Sequence, residues 1–306
     1  MFIDPIIIQY PEALDSERFV VATYYCAAKP STNMLKFAAA LGIEQSCGTW
    51  IKVPGETPEV REKCIARLVG VYEAPSYQIE IPEDVRERHF IARIAFPWSN
   101  FGPQFAMMLS TVIGNISSSG KVKLLDLEFP KSFLKEFGGP KFGVQGVRDL
   151  LGVHGRPLLN NMIKPCTGLS PKATADLAYE AAVGGVDIIK DDELISDPVH
   201  CPLVERVKHV MEAMKRADDA KGEKTLYAFN ITDRTEKLKE NAHKALEAGA
   251  NTLMVNYNTI GLDATRMLAE DKSINVPILG HSDYTGSVYE SPWSGMSAAL
   301  IGAKLP

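Results

Sequence analysis

The sequence predicts an α/β protein: a small α+β domain of the ferredoxin-like kind over residues 1–135, then part of a (β/α)8 TIM-type barrel over residues 136–306, with about five βα units present. Three observations predict it. From Pro157 onward, short apolar runs alternate with amphipathic stretches that close in glycine. Every apolar run ends in polar or charged residues (Lys164; Lys190 to Glu193; Asn230; Asn256 and Asn258; His281 to Asp283). Residues before about 130 lack this rhythm. Alternating βα units of this length make a parallel sheet covered by helices. A doubly wound sheet would alternate too, but polar residues at every strand end match a barrel, whose chemistry sits at that face.

In the first domain, strands are predicted over Phe19–Cys26, Val69–Ile81, Arg88–Phe96 and Val122–Phe129, with helices over Thr32–Leu41 and Gln104–Ile113. Gly138, Gly139 and Pro140 mark a link. Strands then follow at Pro157–Lys164, Val186–Lys190, Thr225–Ile231, Asn251–Tyr257 and Val276–His281. Helices at Pro171–Val183, Leu203–Ala217, Arg234–Ala248 and Leu262–Ala269 lie between them, and a last one is expected at Pro292–Ala303. Both Ala-Val-Gly-Gly-Val-Asp at 182–187 and Glu-Ala-Gly-Ala-Asn at 247–251 end a helix in glycine and enter a strand. Five strands do not close a barrel, so the sequence reads as a fragment, or as a chain needing a partner on its open edges.

Composition narrows the function. The chain has 306 residues, 45% hydrophobic, enough for a large core. A net charge of −5, with no basic cluster interleaved with aromatics, excludes an electrostatic nucleic-acid surface. No apolar run reaches membrane-spanning length, and Met1-Phe2-Ile3-Asp4-Pro5 lacks a basic then apolar leader, so a cytoplasmic protein is expected. Cys26, Cys47, Cys64, Cys166 and Cys201 are odd in number and include no C-x-x-C pair. Neither a disulfide framework nor a zinc site is suggested, and most are expected to be reduced core residues.

The string Gly-Gly-Val-Asp-Ile-Ile-Lys-Asp-Asp-Glu at 184–193 says most about chemistry. Side chains alternate along a strand, so Val186, Ile188, Lys190 and Asp192 share one face while Asp191 takes the other and Glu193 sits where the chain leaves. Lys190, Asp192 and Glu193 can converge. Two carboxylates suit a hard cation such as Mg2+, but an ammonium cannot ligate one. The plain alternative is a solvated charge run. Strand-end lysines also suit a Schiff-base aldolase using Lys164 or Lys190, although Asp192 and Glu193 would then have no part. Ser117-Ser118-Ser119-Gly120 reads as a turn, and adjacent His281, Ser282 and Asp283 cannot all face one point as a hydrolase triad would need.

Several motifs in family order and spacing carry a resemblance to the large subunit of RuBisCO, and more closely to RuBisCO-like proteins. They are Gly-Arg-Pro-Leu-Leu at 155–159, Ile163-Lys164-Pro165 with Gly168-Leu169-Ser170, and GGVDIIKDDE. Gly139-Pro140 with Gly143 to Arg148, Glu44 followed by Gly48-Thr49-Trp50, and Gly114-Asn115 extend it over essentially the whole chain. The resemblance implies that Lys190 forms a carbamate with CO2 and, with Asp192 and Glu193, holds Mg2+, which stabilises an enediolate. It implies that Lys164 assists proton transfer and that His281 lies near the substrate's hydroxyls. Glu44 and Asn115 would complete a neighbouring subunit's site, so a homodimer with shared active sites is implied.

Departures from the family set further expectations. Cys166 stands where carboxylating members have a second lysine, and Ser282 where they have an arginine that grips a phosphate. Loss of that bidentate donor argues against a bisphosphate, so the expected activity is Mg2+-dependent enolisation of a phosphorylated ketose or keto-acid, with a lyase or isomerase outcome, rather than carboxylation. The alternatives are the 2,3-diketo-5-methylthiopentyl-1-phosphate enolase of methionine salvage, whose general-base lysine aligns with Asn115 and which lacks the glutamate matched by Glu44, and a non-catalytic truncated subunit.

Overall fold

The structure, a computed structural model, describes residues 5–48, 53–77 and 79–306. Met1 to Asp4 of the N-terminal reading, and Thr49 and Trp50 of the Gly48-Thr49-Trp50 string, lie outside the described residues. Among the described residues no helix is long and apolar enough to cross a membrane. The chain divides into two compact units, one of residues 1–137 with 285–305, the other of residues 138–284 with Pro306.

The first unit begins with β1 (Phe19–Ala28), α1 (Met34–Glu44), α2 (Pro58–Cys64), β2 (Arg67–Glu73), β3 (Arg88–Pro97), α3 (Phe105–Ile113) and β4 (Lys121–Glu128). Its antiparallel ladder runs in the order β4-β1-β3-β2, the ferredoxin-like arrangement of a βαββαβ chain. Local chemistry starts the helices. The Asn33 side chain accepts from the Lys36 amide at 3.0 Å ahead of α1, and Thr57 caps α2 with Pro58 at its first position. Buried Tyr24 on β1 reaches α3 through a 2.5 Å hydrogen bond donated to the Val112 carbonyl. A four-residue helix, α4 (Lys131–Leu134), follows, placing Phe133 among Trp98, Phe101, Phe129 and Phe137.

Two expectations are corrected here. The strand expected over Val69–Ile81 ends at Glu73, because Pro75, lacking an amide hydrogen, cannot extend the ladder. The helix expected at Pro292–Ala303 is instead a three-residue strand, Ser294–Met296, and a short helical turn at Leu300–Lys304. That strand pairs in parallel with β4, and Lys123 Nζ secures its approach by donating to the Tyr289 and Ser291 carbonyls at 2.7 and 2.6 Å.

The second unit holds α5 (Gly143–Leu151), β5 (Asn160–Met162), α6 (Pro171–Val183), β6 (Ile188–Lys190), α7 (Leu203–Lys221), β7 (Leu226–Asn230), α8 (Thr235–Glu247), β8 (Thr252–Asn256), α9 (Tyr257–Ile260), α10 (Leu262–Glu270) and β9 (Ile278–His281). All five strands are parallel, in the order β5-β6-β7-β8-β9. This is half of a barrel, as the alternating pattern predicted. Every residue of β7 and β8 is buried, the expectation for strands covered on both faces. Ser170 caps α6, accepting from the Ala173 amide at 3.2 Å, with Pro171 at the first helical position.

The start of β6 is fixed by an ion pair between two of the sequence motifs. Arg156 of the 155–159 string grips Asp187 with two bonds of 2.6 and 2.7 Å, and the Leu159 amide donates to the same carboxylate at 2.7 Å. The Arg156 guanidinium, with help from that amide, outweighs burial and holds the Asp187 carboxyl below its ordinary value of 3.8. A carboxyl lowered on folding stabilises fully above its unfolded pKa and ceases to do so as pH falls through the lower folded one. Asp187→Asn is therefore expected to be less stable than the parent at neutral pH, with the gap closing on acidification below pH 3.8, as urea titrations over pH 2–7 would show.

Candidate active site

The carboxyl ends of β5, β6 and β9 bring five expected residues together: Lys164, Lys190, Asp192, Glu193 and His281. Lys190 is the last residue of β6 and only 6% exposed; its Nζ lies 3.0 Å from the Asp191 carbonyl and 3.4 Å from Glu193 Oε2. Asp192 is 2% exposed, and its Oδ2 accepts from Lys164 Nζ at 2.5 Å across the turn after β5. The Leu194 amide donates to Asp192 Oδ1 at 3.1 Å. His281, in register with Asn256 on β8, points Nε2 to within 3.5 Å of Glu193 Oε2. Burial of Lys190 and Asp192 overturns the reading of this string as a solvated charge run.

Asp191 takes the opposite side, as strand alternation requires. It is 1% exposed, and its carboxylate accepts from Tyr227 Oη at 2.8 Å, Arg206 Nε at 3.1 Å and the Asn230 amide at 2.9 Å. The Asn230 and Asn256 side chains both donate to the Glu193 carbonyl, at 3.1 and 3.0 Å. Sequence reading marked the two asparagines as strand-end residues but missed Arg206 and Tyr227. Arg206 left one signal: it stands on α7 between Leu203 and Val210, on the face that is buried.

Electrostatics sharpen the site. The hydrogen bond to Asp192, and then that to Cys166 Sγ at 3.1 Å, push the Lys164 ammonium above the ordinary lysine range. Burial works to raise the Asp192 carboxyl, but the Lys164 hydrogen bond and the Leu194 amide together hold it below its usual range. Glu193 is lowered too, first by its own backbone amide, against burial and the charge of Asp192. Asp283 moves the other way, raised by burial. Its backbone amide donates to His281 Nδ1 at 3.2 Å, so Nδ1 is the accepting nitrogen and Nε2 is the one turned to the site.

Among the described residues no group of three or more histidines, cysteines, aspartates or glutamates is arranged to hold a metal ion. The donor chemistry at β6 still fits Mg2+ on one condition. Asp192 and Glu193 supply two carboxylates, while Lys190, as an ammonium, cannot ligate. A carbamate on Lys190 would make the set all-oxygen, which is what a hard cation requires.

Glu44 and Asn115 belong to the first unit. Glu44 is the last residue of α1, and Asn115 opens the turn after α3; both are exposed. Gln45 Nε2 donates to the Ser110 and Thr111 carbonyls at 3.0 and 2.8 Å, so the ends of these two helices lie side by side. Gly114 must be glycine, since a Cβ there would sit 2.2 Å from the Ser110 carbonyl oxygen. All five cysteines are free; Cys26 and Cys201 are core residues, but Cys47, Cys64 and Cys166 are only partly buried, and Cys166 lies on Lys164 rather than in the core.

Both halves of the chain match known protein families. Residues 143–304 match the family described as ribulose bisphosphate carboxylase large chain, catalytic domain, and residues 10–133 match its N-terminal domain. A ribulose bisphosphate carboxylase-like protein of Archaeoglobus fulgidus is 55% identical over 296 residues, covering 97% of this chain and 68% of that protein. The 2,3-diketo-5-methylthiopentyl-1-phosphate enolase of Geobacillus kaustophilus is 36% identical, covering 94% and 69%. The crystal structure of a rubisco-like protein from Alicyclobacillus acidocaldarius superimposes with a TM-score of 0.81 at 32% identity, covering 93% of this chain and 69% of that one. With both domain families matched and a relative of this identity, the chain belongs to the RuBisCO large-chain family, as a RuBisCO-like protein.

Proposed function

We propose that this protein serves a Mg2+-dependent enolisation of a phosphorylated ketose or keto-acid, with Lys190 carbamylated by CO2, and that it is not a ribulose-bisphosphate carboxylase. The observation that carries the reading is the convergence of Lys164, Lys190, Asp192, Glu193 and His281 at one end of the parallel sheet. Carbamylated Lys190, Asp192 and Glu193 would hold the ion. When bound, Mg2+ supplies positive charge beside the substrate's ketone and so acidifies the neighbouring C–H.

The chain's own residues do the rest. Lys164, an ammonium on Asp192, is placed to deliver a proton, and takes one up only after Asp192 turns from it. His281 offers its Nε2–H to a substrate oxygen, with Nδ1 tied to the Asp283 amide. Glu44 and Asn115 of a second copy would close the site, making a homodimer the active form. Ser282, where carboxylating members carry arginine, supports a substrate with one phosphate.

A second reading, the enolase of methionine salvage, is favoured by relatives of that name at about 36% identity. Asn115 and Glu44 count against it. A Schiff-base aldolase using Lys164 or Lys190 would leave the buried Asp192 and the neighbouring Glu193 without a part.

Proton exchange tests the proposal. Protein incubated with bicarbonate and Mg2+ in D2O should wash deuterium into the α-position of its substrate among a panel of ketose phosphates, keto-acid phosphates and the diketo compound, as NMR would show. EDTA should reduce that exchange to background. Exchange on the diketo compound alone would favour the methionine-salvage reading. Chelator-insensitive borohydride trapping on Lys164 or Lys190 would establish the aldolase, and no exchange on any compound would support a non-catalytic subunit.

A further inference from the structure

Arg206 lies outside every group that contacts the candidate ligands, yet it is fully buried and all of its nitrogens are engaged. Its Nε donates to Asp191 Oδ2 at 3.1 Å, Nη2 to the Ser196 carbonyl at 2.6 Å and Nη1 to the Cys201 carbonyl at 2.9 Å. Asp191 and Ser196 bracket the turn that carries Asp192 and Glu193. A planar guanidinium fixes three acceptors at set angles, which a lysine cannot do. From this geometry we infer that Arg206 is a positioning residue: it clamps both ends of the 191–196 turn from α7 and so sets where Lys190, Asp192 and Glu193 point. Tyr227 Oη assists by holding the other oxygen of Asp191 at 2.8 Å.

The clamp explains how a turn of adjacent acidic residues stays in one shape. Asp192 and Glu193 repel each other, and against this the turn itself offers the 3.3 Å bond from the Ile195 amide to the Asp192 carbonyl and the 3.1 Å bond from the Leu194 amide to Asp192 Oδ1. The external grip from Arg206, with the Asn230 and Asn256 bonds to the Glu193 carbonyl, supplies the order the turn lacks by itself. Outer partners of this kind typically alter metal affinity 10–100-fold when replaced.

The inference bears on the centre proposed above, so its test begins without metal. Amide hydrogen exchange of the metal-free protein should quicken at Leu194 and Ile195 by about tenfold or more in Arg206→Lys, while amides of β7 and β8 change less than about twofold, since the charge is kept but the fork is lost. Tyr227→Phe, which keeps the fork, should give a smaller local increase and serves if the arginine variant does not fold. Unchanged exchange at Leu194 and Ile195 in a folded variant would overturn the assignment. Mn2+ binding counted by electron paramagnetic resonance in bicarbonate should then weaken about 10–100-fold in Arg206→Lys. If the parent itself binds no Mn2+, the metal reading falls, and the exchange result alone still decides whether Arg206 holds the turn.

Discussion

Lys190→Arg is expected to abolish Mn2+ binding in bicarbonate buffer and to lower substrate-dependent proton exchange by more than about 100–1,000-fold, the loss that follows when one preorganised source of charge stabilisation is removed. The loss is chemical rather than steric. Lys190 is buried beside Glu193, so an amine there is useful to a metal only if it stops being a cation. A lysine amine can add CO2 and become an anionic oxygen donor; a guanidinium, protonated at every working pH, cannot. Arginine keeps the positive charge and the ion pair with Glu193, so a folded variant isolates the carbamate from the charge. Removing CO2 from the parent should reproduce the defect reversibly, while the variant should not respond to added bicarbonate. Retention of Mn2+ binding by Lys190→Arg would sink the carbamate reading and leave Asp192 and Glu193 as ligands without it.

How far the fold was legible depended on whether local pattern or tertiary pairing decided each element. α6 begins at Pro171 and ends at Val183 in both sequence and structure, because a serine cap, a first-turn proline and a glycine stop are all local. β7 and β8 were legible as apolar runs bounded by polar ends. Ser294–Met296 was not, since its strand exists only by pairing with β4; Gly295 there holds φ at +77°, and a Cβ would meet the Val288 carbonyl oxygen at 2.0 Å. The site followed the same rule. Strand alternation put Lys190 and Asp192 together and turned Asp191 away, but which helix would supply Asp191's partner is a long-range fact. Arg206 is 15 residues downstream of Asp191, and Tyr227 is 36.

That same buried pair makes the second large prediction. Arg206 is 0% and Asp191 1% exposed. Burial is the largest single influence and pulls the Arg206 guanidinium down in pKa, but the Asp191 carboxylate, together with Tyr227 and Cys201 beside it, raises the group above its ordinary value. Asp191→Ala would strand that cation in the core and is expected to cost about 3–5 kcal/mol in urea unfolding. The double change Asp191→Leu with Arg206→Met removes both charges, so its cost should fall short of the sum of the two single changes by about 0.5–3 kcal/mol. Recovery should stay incomplete, because Tyr227 Oη loses its acceptor and the Ser196 and Cys201 carbonyls lose their donor. Strict additivity would mean that the two charges do not depend on each other for their burial. Coupling in stability, together with weakened Mn2+ binding by the double variant, would mean that the pair's role in the site is the direction in which it holds the turn, which no apolar substitute can supply.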